Sequence, residues 1–145
     1  LDLARRAADI GLRNSEPDHP WLARKRLRRI DYAIYAAPDA PQTFITLPRG
    51  GMVAPSQRWV HTHHSDAIVT TATDPRLYLD LAQAGHGQIV LPCFVGAIHP
   101  MLEQRSDPIL DLAHDEWLVS HQDTRHLPAI RAALRAIEHC LLTEN

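Results

Sequence analysis

Apolar residues recur at three- and four-residue steps near the end of this chain, at Ile130, Ala133, Leu134, Ile137 and Leu141, with Arg131, Arg135 and Glu138 on the other side. That period predicts an amphipathic helix from about Pro128, its stripe turned to a core rather than to a partner. A second stripe, Leu77, Leu81 and Ala84, follows Thr73-Asp74-Pro75 and stops at Gly85. A hydroxyl or carboxylate there can cap the first turn, Pro suits a position whose N–H lacks a helical acceptor, and Gly suits the far end. Leu3, Ala4, Ala7 and Ala8 share an apolar side and predict the end of a helix over Leu1 to Ala8.

The intervening segments read as strands. Asp9 to Arg13 is expected as a short buried strand, and Asp31 to Ala37 as a β-rich run stopped by Pro38 and Pro41. Thr43 to Leu47 is expected as a strand broken by Pro48-Arg49-Gly50-Gly51, and Ile68 to Thr71 as another. Gln88 to Pro92 is short, apolar and β-branched, which suits a buried parallel strand. Ile109 to Leu112 and Glu116 to Ser120 are shorter candidates, while Pro55 to His64 reads as irregular or partly extended. The middle third is therefore strand, helix, strand: a βαβ unit with a right-handed crossover. The fold class is α/β.

Composition narrows the picture. A chain of 145 residues is one ordinary domain or two small lobes, and 45% hydrophobic with 22% charged residues is the balance of a folded protein. A net charge of −2 does not describe a chain built to grip a polyanion, although the ten His residues would add positive charge as pH falls. Cys93 and Cys140 are too few for a disulfide scaffold and read as free thiols in a reducing cytoplasm. No apolar run approaches the roughly 20 residues that cross a bilayer. Charges at Asp2, Arg5, Arg6 and Asp9 do not fit a secretory signal. A cytoplasmic protein with no membrane partner is expected.

Three features invite chemistry. His61, His63 and His64, with Asp66 near, could supply metal ligands, and a metal-dependent hydrolase is the enzyme reading they allow. A metal site needs convergent, supported ligands, and the His-Glu-x-x-His of zinc hydrolases is absent, so solvated loop histidines are favoured. The basic run Arg24, Lys25, Arg26, Arg28 and Arg29 is balanced by acids elsewhere and has no interleaved aromatics. It reads as a solvated helix or strand edge, with a subunit contact left open. Cys93, with His86 and His99 near in sequence, is favoured as inert packing over a nucleophile. No catalytic residue, metal or cofactor is expected.

Ala8-Asp9-Ile10-Gly11-Leu12-Arg13, the segment Leu81-Ala82-Gln83-Ala84-Gly85-His86-Gly87-Gln88-Ile89-Val90-Leu91-Pro92 and the tail Glu116-Trp117-Leu118-Val119-Ser120-His121 occur in that order. Together they resemble the effector-binding domain of LysR-type transcriptional regulators. The likeness extends from Ala8 to the last helix. It departs from the usual pattern at Gly11, where Ala or Val is common, and at His86 and Gln88, which replace apolar residues around Gly87.

The resemblance implies a periplasmic-binding-protein-like fold of two α/β lobes. Residues 1–37 would form a partial first lobe with the first crossing strand, 38–99 a nearly complete second lobe, and 100–145 the return to the first lobe with its C-terminal helix. The DNA-binding helices and the opening of the first lobe would lie before Leu1, so DNA would be contacted only through that N-terminal domain. A fragment lacking them is expected to unfold with less cooperativity than an intact domain. The implied function is sensing of a small metabolite in the interlobe cleft by a homodimer or tetramer, with no bond made or broken. A solute-binding protein of transport shares the two-lobe plan and is the alternative from another class. Open α/β sheets bind ligands beyond the carboxyl ends of their strands, where helix N-termini favour anions. Thr71 and Thr73, at a strand-to-helix junction, are the expected ligand contacts, with Arg13 and Asn14 facing them from the first lobe.

Overall fold

A computed structural model describes residues 8–48 and 54–143 of the chain. The helix expected over Leu1 to Ala8 lies outside the described residues but for Ala8, as does the break at Arg49-Gly50-Gly51. The strands are β1 (Ile10–Arg13), β2 (Leu22–Ile30), β3 (Tyr32–Ala36), β4 (Phe44–Thr46), β5 (Ile68–Thr71), β6 (Ile89–Pro92), β7 (Glu103–Gln104) and β8 (His114–His121). The helices are α1 (Pro55–His63), α2 (Pro75–Gln83), α3 (Cys93–Ala97) and α4 (Pro128–Thr143). The fold is α/β, in two compact units: Leu1–Ile30 with His114–Asn145, and Asp31–Ala113. These divisions fall at Ile30/Asp31 and Ala113/His114 rather than after residues 37 and 99. The strand read as the first crossing, β3, is the middle strand of the sheet β6-β3-β7.

Unit one is built on three antiparallel strands in the order β1-β8-β2. Leu22 and Val119 form its buried core, with Ala8 and Trp117 packed against them. The strand expected to be buried, β1, is an edge strand only partly covered, with Leu12 48% exposed. The basic run is β2, an edge strand whose cations are matched by acids: Arg26 with Asp115 at 2.7 Å, Arg28 with Glu116 at 2.9 Å and Arg24 with Glu16 at 2.7 Å. Lys25 pairs with Glu138 of α4. The Arg28–Glu116 pair is the best sheltered, and only such partly desolvated pairs contribute much beyond a few tenths of a kcal/mol. The predicted stripe of α4 is half-buried throughout, and none of its residues is fully buried among those described.

Unit two centres on β3, flanked by antiparallel β6 and β7, and on the parallel pair β4 and β5. The two sets join where Ile45 N–H donates to the Gln88 carbonyl (3.0 Å) and Gln88 N–H to the Thr43 carbonyl (2.8 Å). That junction makes β4 parallel to the start of β6, so β4 stands between the two strands linked through α2. β6 is buried as expected, yet its full partner, β3, runs antiparallel. Phe44, Ile45, Val60, Ile89 and Val90 fill the interior at 2% exposure or less.

Local signals at α2 match its ends. The Asp74 carboxylate accepts from the N–H groups of Arg76 (2.8 Å) and Leu77 (3.4 Å), and Gly85 follows with φ +81°. Its buried side is Tyr78 and Ala82, however, while Leu77 and Ala84 are exposed, so the stripe is turned by one residue from the predicted one. Two segments differ in kind. Pro55–His63 is a helix rather than irregular chain, and Leu110–Leu112 is a 3-10 turn rather than a strand.

Candidate functional site

The parallel pair β4 and β5 ends with Thr46 opposite Thr71, and the next amide, Ala72 N–H, donates to the Thr46 carbonyl at 2.8 Å. From this sheet edge the chain leaves β5 directly into α2, and leaves β4 toward α1. Thr71 and Thr73 are exposed on either side of Ala72, which is 1% exposed and anchors the junction. The N–H groups that Asp74 caps are already satisfied. The expected ligand contacts Thr71 and Thr73 therefore sit together on the carboxyl edge of unit two. Arg13, half-buried opposite Trp117, and exposed Asn14 follow one another at the end of β1 in unit one.

A buried polar network holds that edge. Gln57, in the first turn of α1 and 4% exposed, accepts through Oε1 from the Thr46 hydroxyl (2.8 Å) and from Leu47 N–H (3.0 Å). Its Nε2 donates to the Tyr78 hydroxyl (3.1 Å), which also accepts from Val90 N–H (3.1 Å) and donates to the Val90 carbonyl (3.3 Å). Burial pushes the Tyr78 hydroxyl up to about 12, against the opposing pull of the Gln57 and Val90 hydrogen bonds. It stays a neutral donor and acceptor, which the network requires. His61 closes the ring: its Nε2 lies 3.1 Å from the Leu47 carbonyl and 3.3 Å from Thr46 Oγ1. With the Thr46 proton directed to Gln57, Nε2 is assigned the hydrogen and donates to Leu47. Nothing in the local sequence around Gln57 marks it, because its partners come from the end of β4 and from α2.

The histidines are expected as solvated loop residues; His63 is exposed, but it and half-buried His61 are helical rather than on a loop. His61 and His63 lie on α1, and His64 follows it, stacked on Phe44 with ring centroids 4.6 Å apart and 5.0 Å from Trp59. His63 Nδ1 is 2.9 Å from the Trp59 carbonyl. Among the described residues no group of three or more His, Cys, Asp or Glu side chains is placed to hold a metal. Cys93 begins α3, half-buried, with its carbonyl 3.5 Å from the Tyr35 hydroxyl. His99 is engaged by Gln83 (3.0 Å).

Burial first, and then the charge of His63, lower the pKa of His64. The folded state thus binds fewer protons than the unfolded one between that lowered value and about 6.5, and stability rises with pH there. Stabilisation by neutral His64 is present above about pH 6.5 and is lost as pH falls through its folded value. The urea midpoint of unit two is expected to drop below pH 6.5, and to drop less in His64→Tyr, which keeps an aromatic ring against Phe44. Equal pH slopes in the two proteins would refute this.

No family model and no curated protein sequence matches the chain. Solved structures do. The regulatory domain of MetR, a LysR family regulator from N. meningitidis, superimposes with a TM-score of 0.68 at 13% identity, over 98% of this chain and 74% of that one. The regulatory domain of CrgA, a LysR-type regulator from Neisseria meningitidis, gives 0.61 at 19% identity, over 94% and 77%. Full-length CbnR in complex with its target DNA gives 0.60 at 18% identity, over 94% of this chain and 54% of that one. The chain spans about half the length of that full-length regulator. No described helix is long and apolar enough to cross a membrane. The chain has the two-lobe, periplasmic-binding-protein-like fold of the regulatory domains of LysR-family transcriptional regulators.

Proposed function

We propose that this chain is the effector-sensing part of a LysR-type transcriptional regulator, binding a small metabolite and making or breaking no bond. The observation that carries the reading is the fold likeness to such regulatory domains over 94–98% of the chain. Thr71 and Thr73, on an edge stiffened by the Gln57 network, would meet the effector in unit two, and Arg13 and Asn14 are the effector contacts proposed in unit one. The effector would act by binding one arrangement of the lobes better than another, since only that differential affinity can shift the population. Contact with DNA, seen in the CbnR complex, would fall to a separate DNA-binding segment working in the cytoplasm, in a homodimer or tetramer.

The test is thermal unfolding of the chain against a panel of small mono- and dicarboxylates. One of them is expected to raise Tm in a saturable way, as a ligand that binds only the native state must. Thr71→Val and Thr73→Val should each weaken that ligand roughly threefold to tenfold, the worth of one neutral hydrogen bond. If no compound shifts Tm, or the shift is untouched in both variants, the assignment fails.

A further inference from the structure

Unit one contains a cavity of about 520 Å³ between the β2–β8 face and α4. Five cations line it, Arg24, Lys25, Arg125, Arg131 and Arg135, against a single carboxylate, Glu138. Two are compensated: Arg24 by Glu16 and Lys25 by Glu138. Arg125, Arg131 and Arg135 make no ion pair among the described residues.

One of those three guanidinium groups, that of Arg131, stands where the backbone already disfavours it. The N-terminal end of a helix carries the positive pole of its dipole and ordinarily attracts acids. The first turn of α4 has no acid, and it holds Arg131, with Arg125 and His126 just before it. Like charges converging on one space at a positive helix pole are relieved by an anion placed among them.

The remaining lining says more about the occupant. Ala23, Leu118 and Leu134 give the cavity an apolar side, and Ser120, 3% exposed, adds a hydroxyl. The volume lies within the range of about 300–1,000 Å³ typical of small-molecule sites, more than a bare inorganic ion needs. Guanidinium forks engage phosphate and carboxylate oxygens two at a time. We propose that this cavity binds a small organic polyanion, one with two or more phosphate or carboxylate groups on a compact body. The site lies wholly within unit one and is independent of the effector contacts proposed at Thr71 and Thr73.

Calorimetric titration of the 145-residue chain at fixed ionic strength tests it, with pyrophosphate, citrate and acetate as probes. Saturable binding of pyrophosphate or citrate, and not of acetate, is expected. Binding of pyrophosphate alone would assign a phosphate ester, and of citrate alone a polycarboxylate. Arg131→Gln and Arg135→Gln should each weaken it about tenfold, the worth of a charge-assisted hydrogen bond. Both side chains are exposed, so folding should be kept, which circular dichroism would check. Arg26→Gln removes the same charge outside the cavity and should leave binding intact, as should the paired Thr71→Val and Thr73→Val changes. No saturable binding of either polyanion at millimolar concentration, or equal weakening by Arg26→Gln, would overturn the proposal.

Discussion

Phe44→Ala is expected to destabilise unit two by about 3–5 kcal/mol, the usual cost of deleting a buried aromatic ring. Phe44 is 1% exposed and packs in one cluster with Val60, Val90 and Leu112, with Trp59 and Ile68 against it. Its ring also supports His64 by stacking. Its backbone is where β4 meets β5 on one side and Gln88 on the other, so collapse around the void would pull on both halves of the sheet. Since domains of this size hold only about 5–15 kcal/mol in all, most of the margin would go. Urea unfolding followed by circular dichroism is the measurement. A loss below about 1 kcal/mol would mean that the ring is not the packing centre described.

Gln57→Leu has the next largest expected effect, about 2–4 kcal/mol, although it keeps nearly the same volume and adds apolar surface. The reason is asymmetry: removing one partner strands the groups that remain, each at about 1–3 kcal/mol, whereas the original bond contributed less. Leu47 N–H would lose its acceptor, the Thr46 hydroxyl would be left with the more distant Leu47 carbonyl at 3.3 Å, and Tyr78 would retain only Val90. A second readout isolates the mechanism. Amide exchange at Leu47 should quicken in the variant beyond what its global stability accounts for. Full protection of that amide, with less than about 1 kcal/mol lost, would show that the network is ornamental. Because the same groups brace the edge that carries Thr71 and Thr73, any ligand bound there should also weaken.

How much of this was readable from the chain depends on how local the signal is. The ends of α2 were, because Asp74, Pro75 and Gly85 each act within one turn. The strand at Ile68 to Thr71 was too, and with it the junction that places Thr71 and Thr73. Helix α1 was not. It buries only Gln57 and Val60, one of them polar, so the apolar stripe that betrays most helices is missing. Reading Pro55 to His64 as extended then put His61 and His63 on one face of a strand, a pairing the helix does not make. Ile109 to Leu112 failed for another reason: four residues, three of them apolar around Asp111, have no period to distinguish a strand from a turn. The arginines of the unit-one cavity looked like the outer side of a helix, since only the fold reveals that β2 and β8 lie across from Arg131 and Arg135.

The discontinuity of unit one bears on the order in which the protein can form. Unit two is a single stretch, Asp31–Ala113, whereas β1 must find β8 with Ile10 opposite Ser120. Closing so long a loop has an entropic cost that grows slowly with length but comes before any pairing is gained, which makes such contacts late and slow. On a chain emerging from the ribosome, β1 and β2 are made before β8, the described strand that both of them pair with. Unit two can fold in that interval, and in doing so it draws residues 30 and 114 toward their final separation and shortens the search. The inserted unit thus serves the folding of the unit that surrounds it.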